Sequence, residues 1–268
     1  MALIDLANPT RFIALVERVL PVLVALSIGF IALGLYQAFF VAPEDYQQGD
    51  TVRIMFIHVP AAWLSLFCWS MMSVSALGTL VWRHPLSDVA AKAAVPIGAA
   101  FTFVCLVTGS LWGKPMWGTW WMWDARLTSV LVLFIMYLGL AALWSTIEDP
   151  IRAGKAAAIL TLVGFVNIPI IKFSVDWWNT LHQPASVFRA GGPTIHSSIL
   201  WPLLIMAIGF TFLFTTLHLL AMRNEILRRR LRTLRMMEAA RSDSSVATTT
   251  TAAPSTAKLG AAIEAGAE

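Results

Sequence analysis

The feature that most constrains this chain is a succession of six apolar runs, each about as long as a bilayer is thick. A spanning helix needs about 20 predominantly apolar residues, at about 1.5 Å each, to cross about 30 Å of hydrocarbon. The runs Val19 to Ala42, Ile54 to Trp82, Ala93 to Trp112, Leu127 to Trp144, Ala156 to Phe173 and Ile199 to Met222 meet or nearly meet that length. With 58% hydrophobic and only 13% charged residues, the 268-residue chain is too apolar for a soluble domain. The expected fold class is therefore an all-α integral membrane protein with six transmembrane helices. The fifth run is short and holds Asn167 and Pro169, so a kink is expected there, with neighbouring helices taking the freed carbonyls. The N-terminus lacks the short apolar stretch and small-residue cleavage site of a removable signal, so the first run is expected to stay as a helix.

The net charge of +4 reads as a topology signal rather than a grip on nucleic acid, because no soluble domain carries it. With the N-terminus in the cytoplasm, Arg11, Arg18, Arg83, Lys92, Arg152, Lys155 and the six arginines of 223–235 lie inside, against Arg53, Lys114, Arg126, Lys172 and Arg189 outside. That asymmetry satisfies the positive-inside bias and puts both termini in the cytoplasm. The expected organisation is a six-helix membrane domain over 1–238, with a basic cytoplasmic extension of the last helix over 223–241. Contact with lipid headgroups and docking of a partner are both open readings of that extension. The Ala, Ser and Thr-rich tail, 242–268, has too little large apolar surface to fold and is expected to be disordered. Three loops face outward, Pro43 to Arg53, a tryptophan-rich loop over 112–129, and Ser174 to Ser198. Function is expected on that side.

The tryptophan loop reads Trp112-Gly-Lys-Pro-Met-Trp117-Gly-Thr-Trp120-Trp121-Met-Trp123-Asp124-Ala-Arg126-Leu-Thr-Ser129 and packs five of the twelve tryptophans into twelve residues. An interfacial aromatic belt accounts for scattered residues such as Trp82, Trp144 and Trp201. It does not account for five together with Gly113, Pro115 and Gly118, residues that break helix and let backbone approach a ligand. A rigid aromatic platform suits a large planar apolar ligand, with Asp124 and Arg126 as polar handles, an arginine fork being able to hold a carboxylate. Haem is such a ligand, and its iron takes neutral imidazoles. His58, at the outer end of the second helix, and His182, in the third outer loop, are the candidate donors. His196 beside Ser197 and Ser198 reads as a capping residue, and His84 and His218 lie toward the inner face with no tryptophan cluster near either. Cys68 and Cys105 sit within apolar runs as small hydrophobes, and there is no CxxCH motif for covalent haem.

The stretch from Trp112 to Ser129 resembles the tryptophan-rich WWD signature of haem-handling membrane proteins. The whole arrangement most resembles the cytochrome c maturation protein C family, also called haem exporter protein C. The resemblance covers almost the entire hydrophobic chain: six helices, the signature between the third and fourth, and a histidine in or beside each flanking outer loop. It implies that haem b is held non-covalently at the periplasmic face of a bacterial inner membrane. His58 and His182 would be the axial iron ligands, and Trp112, Trp117, Trp120, Trp121, Trp123, Asp124 and Arg126 would contact or frame the haem. It implies delivery to a membrane-anchored haem chaperone, maturation protein E. It also implies a complex with the ABC-type ATPase maturation protein A, its membrane-embedded partner maturation protein B and the small maturation protein D, with ATP hydrolysis left to a partner. This chain has no GxxxxGK[ST] loop and is not expected to be an enzyme. A haem-translocating permease subunit and a b-type transmembrane electron carrier are the competing readings; the latter needs a second, inner haem.

Overall fold

The computed structural model describes residues 8–251, with side chains as far as 242. Six helical stretches are long and apolar enough to cross a membrane, and the chain is an all-α integral membrane protein. Helix α1 spans Pro9–Tyr36 and widens into one π turn, Gln37–Val41. A 3₁₀ turn, Asp50–Ile54, leads into α2, Met55–Leu80. Then come α3, Ser87–Trp117, and α4, Ala125–Thr146. The fifth span is divided into α5, Pro150–Gly164, and α6, Asn167–Trp177, and the last helix is α7, Ser197–Thr251.

Three boundaries depart from the sequence expectation, each for a local reason, and the kink expected in the fifth run is present. Helix α1 begins ten residues before Val19, because Asn8 accepts from the backbone N–H of Thr10 (2.9 Å) and Pro9 occupies the first turn; both are starting signals. Helix α3 does not stop at Trp112 but runs through Gly113 and Pro115 to Trp117. A proline in the last turn forfeits one backbone bond, and the stop comes at Gly118, whose φ of 76° suits a glycine and whose N–H reaches Lys114 O at 3.0 Å. The expected loop over 112–129 therefore contracts to 118–124. The fifth span breaks at Phe165–Val166. Pro169 has no N–H for Phe165 O, which accepts from Ile168 N instead (3.0 Å), while Trp69 Nε1 donates to Thr161 O (3.1 Å) and Asn167 Nδ2 to Ser129 O (2.9 Å). Neighbouring helices thus satisfy the interrupted backbone. Finally, residues 242–251 of the stretch expected to be disordered continue α7 as helix, since extending a formed helix avoids the cost of nucleation. Residues 252–268 lie outside the described part.

Helix α2 runs along α3, with α5 on its other side and α4 against α3. Their shared core holds Trp69, Tyr137, Met72, Leu133 and Leu140, all 1% exposed or less. Tyr137 donates to Ser65 O (2.8 Å) and meets Trp69 edge to face at 4.9 Å. A second apolar cluster, Ala38, Val52, Met55, Phe56, Ile199, Leu203 and Met206, joins the end of α1 to the starts of α2 and α7, and Trp112, Val187 and Ile195 pack against it. At the opposite end of α3, Lys92 Nζ pairs with Glu225 Oε1 at 2.7 Å, with side chains 29% and 6% exposed, and lies 5.1 Å from the Trp144 ring centre. The chain divides into two compact units, the spans through Glu225 and a second unit starting at Ile226.

Candidate functional site

Helix α3 carries Trp112 and Trp117, the loop after it carries Trp120, Trp121 and Trp123, and the last turns of α3 meet both candidate histidines. His58 lies in the first turn of α2. Its Nδ1 is 3.1 Å from Cys105 O and 3.0 Å from Thr108 Oγ1. A carbonyl only accepts, and Thr108 gives its own proton to Val104 O (2.6 Å), so the imidazole proton belongs on Nδ1. Nε2 is left as the basic nitrogen, with no hydrogen bond to the described residues. Trp112 faces the same imidazole edge-on, at 5.6 Å and 75°, and is held by its Nε1 donating to Gln48 Oε1 (3.0 Å). Gly109 makes room for the ring, since a Cβ there would come 3.1 Å from His58 Cε1.

His182 comes from the chain between α6 and α7. Its ring stands 5.0 Å from Trp117 at 64°, and Nδ1 points at Asp124 Oδ2 from 3.5 Å. Asp124 is 8% exposed and has three tasks. Oδ1 accepts from Leu127 N (2.8 Å) as the N-cap of α4, and Oδ2 accepts from Leu181 N (3.3 Å) and faces the imidazole. Burial is the main influence on His182 and lowers its pKa below the usual imidazole value. Asp124 opposes that shift and Arg126 adds to it. His182 is thus neutral at neutral pH, the form that donates to a metal. His58 and His182 are near enough for the charge of one to bear on the other.

Arg126 is committed to the protein: Nε donates to Ser174 Oγ (3.0 Å) and one Nη to the carbonyls of Lys172 (3.3 Å) and Ile171 (3.4 Å), tying α4 to the end of α6. Trp117 lies back over Gly113, where a Cβ would be 2.9 Å from its ring. Trp121 and Trp123 meet edge to face at 5.4 Å, with Trp121 Nε1 buried and unpaired. Trp123 is 73% exposed, and Trp120 is 55% exposed with Lys114 Nζ 5.8 Å from its ring centre. The expected residues thus fall into separate groups: His58 packs with Trp112, His182 with Trp117 and Asp124, Arg126 is tied to α6, Trp121 packs on Trp123 with its Nε1 buried, and Trp120 and Trp123 are exposed.

The remaining histidines serve the fold. His196 Nδ1 meets Ser198 Oγ at 2.8 Å where α7 begins, and His84 Nδ1 accepts from Leu86 N at 3.3 Å. His218 Nε2 bonds Ala90 O at 2.9 Å near the far end of α3 and stacks on Phe214. Sequence reasoning missed Gly109, Thr108 and Gln48. The spacing of Gly109 and Gly113, one helical turn apart, was the only signal for the first; nothing local marked the other two.

These elements define a polytopic membrane protein in which two imidazoles meet tryptophans at the end of one helix, His58 hydrogen-bonded through Nδ1 and His182 with Nδ1 buried and without a hydrogen bond, 3.5 Å from the Asp124 carboxylate. A family model described as heme exporter protein C matches residues 2–237. The chain is 71% identical over 241 residues to the heme exporter protein C of Bradyrhizobium diazoefficiens, covering 90% of this chain and 91% of that one. It is 47% identical over 224 residues to the protein of the same name from Escherichia coli K12, covering 83% and 90%. A ccmC-like mitochondrial protein of Marchantia polymorpha, named for cytochrome c biosynthesis, is 44% identical over 224 residues, covering 84% and 95%. The chain belongs to the heme exporter protein C family.

Proposed function

We propose that this protein binds haem b non-covalently at the tryptophan end of its helices and presents it for c-type cytochrome biogenesis. His58 and His182 are the axial ligands, Trp112 and Trp117 the walls beside them, and Trp120, Trp121 and Trp123 the aromatic edge toward the receiving protein. The reading carries over from the relatives named as heme exporters and for cytochrome c biosynthesis. The observation that carries it is the placing of two imidazoles edge-on to tryptophans of α3, His58 beside Trp112 and His182 beside Trp117. Nδ1 of His58 is hydrogen-bonded to Cys105 O, and Nδ1 of His182, which makes no hydrogen bond, lies 3.5 Å from Asp124 Oδ2; a metal-bound histidine is commonly oriented through an acceptor at its other nitrogen.

In this reading the recipient is a membrane-anchored haem chaperone, maturation protein E, and the chain works in an ABC-type complex with maturation proteins A, B and D. The tryptophan end lies on the periplasmic side of a bacterial inner membrane, with both termini in the cytoplasm. The chain acts as a scaffold, since holding two partners in an attack geometry lowers a barrier by several kcal/mol without a catalytic group.

The test is the visible spectrum, oxidised and reduced, of the protein purified with its chaperone co-expressed, beside His58→Ala and His182→Ala. A b-type signal near one haem per chain, lost in both variants, is the expected result. A colourless wild type, or a spectrum indifferent to both histidines, overturns the assignment, and two haems per chain would favour an electron carrier.

A further inference from the structure

The loop between α1 and α2 lies outside the set of residues read as haem contacts, yet its backbone is closely specified. Asp45 Oδ1 accepts from the N–H groups of Gln47 and Gln48, each at 2.9 Å, an Asx turn. Asp45 and Gly49 then pair through their backbones, Gly49 N to Asp45 O at 2.8 Å and Asp45 N to Gly49 O at 3.3 Å. That return uses a φ of 55° at Gly49, a value that favours glycine. Thr51 Oγ1 donates to Gln48 O (2.7 Å). One Nη of Arg53 donates to the carbonyls of Ala38 (2.6 Å) and Phe39 (2.9 Å), closing the loop onto the π turn that ends α1. Val52, 2% exposed, sinks into the second apolar cluster.

Gln48 is thus a side chain on a fixed backbone, held at both its N–H and its C=O. Its Oε1 accepts from Trp112 Nε1 at 3.0 Å, across 64 residues of sequence. An indole N–H only donates, so the amide turns its oxygen to it. Arg53, Thr51 and Val52 already anchor the loop, and what the Gln48 bond adds is a hold on the Trp112 ring. That ring stands one turn beyond Thr108 on α3 and edge-on to His58 at 5.6 Å. Thr108 Oγ1 and Cys105 O meet Nδ1 of the same imidazole. The His58 ring is therefore placed by α3 on one side and by a tryptophan set from the first outer loop on another.

We propose that Gln48 is a positioning residue for haem binding: its amide oxygen fixes the Trp112 indole, and the indole fixes the orientation of the His58 imidazole. The inference rests on the haem reading of the site and extends it to the first outer loop.

The full-length haem-free protein in detergent is titrated with haem, followed by absorbance, as wild type, Gln48→Met, Gln48→Glu, Trp112→Phe and the double variant Gln48→Met with Trp112→Phe. The indole N–H resonance of Trp112, identified as the one missing from Trp112→Phe, is recorded by NMR before haem is added. Gln48→Met keeps the length of the side chain and removes the acceptor. It is expected to shift that resonance and to weaken haem binding about fivefold, the worth of one neutral hydrogen bond. Gln48→Glu retains an acceptor oxygen at the same reach and should keep both the resonance and the affinity near those of wild type. In the Trp112→Phe background there is no N–H to hold, so Gln48→Met should cause no further loss. Equal losses in the two backgrounds overturn the proposal, because Gln48 would then act through the loop and not through the indole. So does an unmoved resonance in Gln48→Met, or a moved resonance with unchanged haem affinity. A wild type that takes up no haem overturns the haem reading itself, and this inference with it.

Discussion

Asp124 Oδ2 and His182 Nδ1 stand 3.5 Å apart although 57 residues separate Leu181 from the carboxylate that also holds its N–H. One buried side chain therefore caps α4, fixes the backbone before the histidine and orients the imidazole. Asp124→Ala is expected to remove all three functions. The lost cap costs about 1 kcal/mol of stability, and the loss of an orienting carboxylate weakens metal binding by about 10- to 100-fold. Haem titration of the purified protein, followed by absorbance, should show the weaker binding while circular dichroism stays helical. Wild-type affinity in the variant would mean that the carboxylate has no part in placing the ligand.

The pH response follows from the same neighbourhood. Burial holds the pKa of His182 below the ordinary imidazole value, so the unfolded chain takes up this proton first as pH falls. The stabilisation from this group is complete above about pH 6.5 and is lost as pH drops through the folded-state value. Asp124 raises the pKa of His182 and Arg126 lowers it. Asp124→Asn should therefore move the loss to lower pH and Arg126→Gln to higher pH. Titration of the His182 ring in the haem-free protein, followed by NMR across a pH series in all three proteins, checks the two opposite signs, and a shift in the same direction for both variants would contradict the account.

Much of this was legible in the chain. The six spans follow from hydropathy, and the break in the fifth from Asn167 and Pro169, because both effects are local. The early start of α1 was hidden by Arg11, Glu17 and Arg18, which interrupt the apolar run although Asn8 and Pro9 cap it properly. The length of α3 was hidden because Gly113 and Pro115 read as helix breakers, whereas near a helix end a proline sacrifices little. His58, His182 and the tryptophans were legible as residue types. That Arg126 serves the protein's own backbone, and that Asp124 reaches Leu181 besides capping α4, was not, since those partners lie 45 to 57 residues away in sequence.

Gly109 offers a separation of stability from binding. A side chain there meets the His58 ring at 3.1 Å from the first carbon onward, while glycine inside a helix is itself unfavourable by about 1 kcal/mol relative to alanine. Gly109→Val is expected to displace the imidazole from Cys105 O and to reduce haem occupancy about tenfold or more, with the helical spectrum and thermal midpoint little changed. Unaltered occupancy would show that the ring has another place to go.

The ion pair between Lys92 and Glu225 predicts a pattern of single and double substitutions. Lys92→Met takes the lysine from the nearly buried carboxylate of Glu225 and is expected to lower the thermal midpoint. Lys92→Met with Glu225→Leu should recover most of that loss, since two apolar groups of similar volume replace the pair. Thermal unfolding in detergent of both single variants and the double variant measures the coupling. Strictly additive losses would mean that the pair does not act as a unit.

Helix α3 presents Cys105 O, Gly109 and Trp112 to one histidine and Trp117 to the other. From Trp112 to Trp117 the helix advances about 7.5 Å, and each residue turns it by about 100°. The two imidazoles are thus indexed against one ruler, and the arrangement depends on phase as much as on identity. One alanine inserted between Trp112 and Trp117 would keep every site residue and still swing Trp117 away from His182, whereas the same insertion after Gly118 falls beyond the ruler's end.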